Sequence, residues 1–110
     1  MIIDYNDRLL EIYNEEETDF FVPPSKKIID NTILLLSSLN KKYTSLKNLT
    51  IDPTSYGTIL LEWKNDTNLL SYEIDRDVYL YTIKKNGEYF SGEDNNLDIE
   101  KIITELNIIK

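Results

Sequence analysis

The residues in this chain best suited to chemistry are carboxylates. Glu62 and Glu73 fall on neighbouring stretches of alternating polar and apolar residues, so they can share one side of a sheet, as a general acid and base pair requires. Paired carboxylates on a sheet surface are far commoner than catalytic ones, and Lys64 and Lys84 lie near enough in the pattern to compensate them. A second set, Asp94, Asn96, Asp98, Glu100 and Glu105, follows the spacing of a calcium loop with Glu105 at its last ligand position. Ile99 stands where that loop's sharp turn needs glycine, and helix capping by Asp98 accounts for these residues better. No metal is expected.

The missing residue types narrow the chemistry further. With no histidine and no cysteine among 110 residues, the chain lacks the usual general base at neutral pH, a thiolate nucleophile and the commonest metal ligand. It also has no disulfide framework, which fits a reducing compartment. The three glycines, Gly57, Gly87 and Gly92, suit strands and turns rather than a phosphate-binding loop. These absences predict a protein that is not an enzyme and carries no cofactor.

Charge points to the kind of partner. The formal net charge is −8, and Lys26/Lys27, Lys41/Lys42 and Lys84/Lys85 are scattered among acids, so no basic face is available for nucleic acid. An acidic surface favours basic protein partners and speeds encounter with them. The charge is concentrated: the first 22 residues hold seven acids against Arg8 alone, which is six of the eight net negative charges. The longest aliphatic run, Ile33 to Leu36, is far short of the roughly 20 residues of a membrane-spanning helix. The first residues lack the basic leader and cleavage site of a signal peptide, so a cytoplasmic location is expected.

The elements that position these residues follow from period. Ile2, Tyr5, Leu9, Ile12 and Tyr13 recur at helical spacing and predict a short helix over residues 4–16, frayed by the repulsion of Glu15, Glu16 and Glu17. Ser25 is a good N-cap for a main helix over 25–42, whose stripe is Ile28, Ile29, Thr32, Ile33, Leu35, Leu36 and Leu39. Residues 43–55 read as an irregular connection punctuated by Pro53. The pattern then switches to period two: Ile59, Leu61 and Trp63, then Leu70, Tyr72 and Ile74, then Val78 to Ile83, then a short strand from Glu88 to Gly92. Turns fall at 65–68, at 75–77 and at Asn86-Gly87, a strong type I′ hairpin signal. Asp98 caps a last helix with the stripe Ile99, Ile102, Ile103 and Leu106.

The expected fold is a single α+β domain over 1–110: a two-layer sandwich in which a four-stranded antiparallel meander is packed by N-terminal and C-terminal helices, in the order α-α-β-β-β-β-α. Its parts are an acidic N-terminal segment (1–22), the main helix (23–42), the sheet (56–92) and the C-terminal helix (97–109). If Trp63, Tyr72, Tyr79, Tyr81 and Tyr89 shared one face they would make a stacking platform, but the acidic balance favours a half-buried face with cross-strand pairing.

The segments "VPPSKKIIDNTILLLSSL" and "PTSYGTILLEWKNDTNLLSYEIDRDVYLYTIKKNGEYFSGE" resemble a family of small bacterial proteins. In that family a proline-serine start leads a helix, followed by a G-x-[IL]-x-[LF]-E-W strand, an L-S-x-E-I strand and a tyrosine-rich hairpin. Gly57, Glu62, Trp63, Leu70, Ser71, Glu73 and Ile74 fall on those positions, within residues 22–93. The resemblance implies the helix-plus-meander fold and no assigned activity. An aromatic and a glycine often precede the proline pair in the family; here the acidic "NEEETDFF" stands instead.

That stretch carries the main functional expectation. Phe20, Phe21 and Val22 can tuck onto the core beside the proline pair while the glutamates are solvated. Alternatively, Glu15, Glu16, Glu17, Asp19, Phe20 and Phe21 form a recognition strip, with carboxylates meeting a basic partner and phenylalanines as anchors. The favoured function is a protein-binding module that neutralises a basic toxin-like or nuclease-like effector, as antitoxins, immunity proteins and phage inhibitors of host defence nucleases do. The alternatives are a small acidic secretion-type chaperone and a carboxylate-dependent hydrolase. A monomer or a homodimer is expected, with neither nucleic acid nor membrane as a direct ligand.

Overall fold

The computed structural model describes residues 5–18, 21–42, 49–76, 78–95 and 98–109. Its elements run α1 (Tyr5–Tyr13), α2 (Lys26–Lys42), β1 (Leu49–Pro53), β2 (Ile59–Lys64), β3 (Leu69–Asp75), β4 (Val78–Lys85), β5 (Glu88–Asp94) and α3 (Ile99–Ile109). The class is α+β, and the sheet is an antiparallel meander in the order β1-β2-β3-β4-β5.

Among the described residues the sheet has five strands rather than the expected four. The extra strand is β1, in a stretch that reads as irregular because it is short and closed by proline. Leu49 and Ile51 are nonetheless buried while Thr50 and Asp52 are exposed, and Ile51 pairs with Leu61. Proline lacks the N–H that a central strand must donate, but an edge strand tolerates it, and β1 is at the edge.

Local signals place the other boundaries. Ser25 caps α2, its Oγ accepting from the Ile28 N–H at 3.4 Å and its carbonyl from the Ile29 N–H at 3.1 Å. Asp98 caps α3 in the same manner, accepting from the Lys101 N–H. Asn86 and Gly87 adopt φ of 53° and 82°, as the β4–β5 turn demands. In the β2–β3 turn the Asn65 side chain accepts from the N–H groups of Thr67 and Asn68.

Register decides which side chains share a face. Ile51, Leu61, Tyr72, Tyr81 and Gly92 form one row across the sheet, and Leu49, Trp63, Leu70, Ile83 and Phe90 form the next. This face supplies Leu49, Ile51, Ile59, Leu61, Trp63, Leu70, Tyr72, Ile74 and Tyr79 to one buried core with Leu9 and Ile12 of α1, Leu35, Leu36 and Leu39 of α2, and Ile102 of α3. Packing follows chain order across the sheet: α1 against β1, α2 against β2 and β3, α3 against β3 and β4. Truncating a fully buried leucine such as Leu61 in such a core costs about 2–5 kcal/mol.

The aromatic residues do not make one platform. Trp63, Tyr72, Tyr79 and Tyr81 face the core side, whereas Tyr89, opposite Lys84, points to the other face. Among the described residues no helix is long and apolar enough to cross a membrane.

Candidate partner-binding surface

The acidic segment begins where α1 gives out. The Asn14 and Glu15 N–H groups bond back to the carbonyls of Leu10 and Ile12, and no helical bond continues into the adjacent glutamates, whose mutual repulsion opposes another turn. The chain then becomes a strap. Thr18 and Phe21 exchange main-chain bonds of 2.9 and 3.4 Å, and Val22 forms a parallel bridge with Tyr56 in the β1–β2 connection. Gly57, at φ 80°, lets the two segments run close, because a Cβ there would meet Val22 Cγ1 at 3.4 Å. Pro24 is buried, and Ser25 hands the chain to α2.

Side chains on the strap divide between packing and solvent. Phe21 is half-buried, and Val22, Tyr13 and Tyr56 are exposed, Tyr56 to 85%. Glu15, Glu16 and Glu17 are all exposed, and among the described residues none has an ion-pair partner. Asp19 and Phe20, the other two residues of the expected recognition strip, lie outside the described residues.

Arg8 explains why the strap is uncompensated. The single base of the first 22 residues is committed to the sheet: Nε donates to the Ile51 carbonyl at 2.8 Å, while the guanidinium pairs with Glu11 at 2.6 Å and Asp52 at 3.1 Å. One fixed fork thus holds α1 to β1 and leaves the glutamates to solvent.

Of the two catalytic candidates, Glu73 has another engagement. Glu62 and Glu73 do lie on one sheet face, but in different rows, Glu62 opposite Ser71 and Glu73 opposite Leu60. Glu73 accepts from Thr58 Oγ1 at 2.8 Å, and Thr58 in turn meets Thr54 Oγ1 at 2.5 Å, a chain that ties β3 to the β1–β2 connection. On the calcium-like set, Asp94 pairs with Lys101 at 2.7 Å, Asp98 caps α3 and Glu105 accepts a bond from Tyr72; Asn96 lies outside the described residues.

That last bond belongs to a polar cluster that no period or motif in the sequence marks as a unit. Tyr72 Oη donates to Glu105 Oε2 at 2.5 Å, both residues being buried, and the Tyr72 and Tyr81 rings lie 6.0 Å apart. Lys101 Nζ sits 4.0 Å above the Tyr81 ring while it holds Asp94. Burial pushes the Glu105 carboxyl above its ordinary value, outweighing the Tyr72 bond and the Lys101 charge. Burial, then the Glu105 hydrogen bond and charge, hold the Tyr72 phenol far above its ordinary range. Burial pulls the Lys101 ammonium down, but Asp94 more than offsets it and the net shift is upward. The cluster fastens α3 to β3, β4 and β5. Its signal in the sequence is Glu105 itself, three residues after Ile102 on an otherwise apolar stripe.

The strap, then, carries exposed carboxylates and exposed apolar side chains on a backbone bridged at Thr18–Phe21 and Val22–Tyr56. Comparison with family models, curated proteins and solved structures yields no match to this chain.

Proposed function

We propose that this chain is a non-enzymatic acidic binding protein that engages a basic protein partner, neutralising an effector of the toxin or nuclease kind in the cytoplasm. The observation that carries this reading is the run Glu15-Glu16-Glu17: exposed, without counter-ions among the described residues, and leading into the Thr18–Phe21 and Val22–Tyr56 bridges of a segment on which Val22 and Tyr56 are exposed. Carboxylates so placed steer a cationic partner and set its register, while the neighbouring aromatic and aliphatic groups supply area to bury. The frame we infer for this surface is a layer of helices over one sheet face. The Thr18–Phe21 and Val22–Tyr56 bridges hold the strap to the fold, and a fixed strap loses less entropy on binding.

The test is affinity capture from the native host with the wild-type chain and with a variant in which Glu15, Glu16, Glu17 and Asp19 are all changed to lysine. The expected result is a basic protein retained by the wild type, released steeply by added salt and lost by the variant. Identical capture by both chains would overturn the recognition role of the strap.

A further inference from the structure

The two outer strands of the sheet are finished differently. At β1 the backbone is bonded by Arg8, packed by α1 and ended by Pro53. At β5, residues 88–94 pair with β4 along their whole length, and among the described residues no strand lies on the other side. β5 contains neither proline nor lysine, and Glu88, Tyr89, Phe90, Ser91 and Glu93 are exposed. Unpaired N–H and C=O groups on a seven-residue edge with neither device form a template for one more strand.

We propose that β5 receives an extended basic segment of another protein as a sixth strand. Side chains set the pattern of that segment. Phe90 is 53% exposed on the core-side face, in the row that ends beyond half-buried Ile83, and Tyr89 is 67% exposed on the other face. An added strand covers both with apolar side chains. Glu93 stands opposite Leu80 and has no cation partner among the described residues, whereas Asp94 already holds Lys101. A lysine or arginine opposite Glu93 therefore completes the pairing, and charge decides against the other obvious occupant, a second copy. Antiparallel pairing of β5 with itself about Ser91 sets Glu88 opposite Asp94 twice. Pairing about Phe90 avoids that contact, but it shortens the ladder to residues 88–92 and leaves Glu93 without a cation. Like charges directly opposite destabilise a strand pair, and each chain brings a net charge of −8.

This docking edge is independent of the acidic strap, so the two are tested separately. The probe is a synthetic peptide of pattern Lys-Thr-Thr-Val-Val-Lys, titrated into the ¹⁵N-labelled full chain while backbone amide shifts and amide exchange are followed. Shifts and new protection confined to residues 88–94 are expected. N-methylating the peptide backbone, which keeps its charge but removes donors, should weaken binding about tenfold. Glu93→Lys should weaken it several-fold, and the Glu15, Glu16 and Glu17 charge-reversed chain should bind as the wild type does. Equal binding of the N-methylated peptide, shifts centred on residues 15–18, self-association through β5 without peptide, or no shift at all would each overturn the inference. Shifts on 15–18 would do so while leaving the strap reading intact.

Discussion

The sheet's two edges show how one chain closes one side to strangers and leaves the other accessible. β1 is five residues long, ends in a residue that cannot donate, and has an arginine from α1 bonded to its backbone. β5 is longer, has no such guard among the described residues, and meets α3 through the Lys101–Asp94 pair near its end. Edge protection here is local side-chain chemistry rather than a property of the fold: both strands are outermost in the same meander, and one side chain accounts for much of the difference.

The largest effect on this contrast is expected at Gly92, where β5 is held under the Tyr81 ring. A Cβ there would lie 2.5 Å from Tyr81 Oη and 2.8 Å from Cζ, so Gly92→Ala should destabilise the protein by about 1–3 kcal/mol in urea unfolding. Adding Tyr81→Phe should recover part of the loss. Unchanged stability in the single variant would mean that Tyr81 does not fix β5.

Next comes Arg8→Ala, which removes the bond to the Ile51 carbonyl and both ion pairs. We expect a loss of about 1–2 kcal/mol, and the Lys-Thr-Thr-Val-Val-Lys peptide should now shift the amides of residues 49–53 as well as those of β5. A destabilised variant whose β1 amides ignore the peptide would show that Arg8 fastens α1 without guarding the edge.

A subtler effect concerns the cluster that secures α3 beside β5. Burial raises the Glu105 carboxyl above its ordinary value of 4.5, so the folded chain keeps that proton to higher pH than the unfolded chain does. The resulting stability is fully present below pH 4.5 and is lost as pH rises through the folded value. Urea midpoints of the wild type should therefore fall across that window relative to Glu105→Gln; parallel profiles for the two proteins would refute the buried-carboxyl account. The smallest effect is expected from Glu93→Lys, which should alter stability by under about 0.5 kcal/mol because the side chain is exposed. A larger change would mean that Glu93 already serves the fold and is not spare for a partner.

Much of the framework is legible in the sequence where local chemistry decides. Ser25 and Asp98 cap helices, Asn86-Gly87 turns a hairpin, and the alternation in β2 and β3 marks strands, because each effect acts within a few residues. β1 is not legible, since only Leu49 and Ile51 alternate before Pro53, and their burial depends on β2 and α1. The candidate surface divides in the same way. The acidity of Glu15, Glu16 and Glu17 is written in the chain, but their having no ion-pair partner among the described residues depends on where the Arg8 side chain is spent. Tyr56 joins the surface only through its bridge with Val22, 34 positions earlier in the numbering.

By itself, then, the sequence determined the class, the order of the later elements, the local acidity and the missing catalytic residue types. Tertiary structure decided phase and partnership. Val78 and Leu80 or Tyr79 and Ile83 could equally have faced the core, since both sets are apolar and a period of two carries no sign. Pairing of Ile74 with Tyr79 and Tyr72 with Tyr81, under the cover of α3, put the second set inside and left Leu80 38% exposed. The same long-range pairing set β1 and β5 at opposite edges, where an arginine from the first helix can reach only one of them.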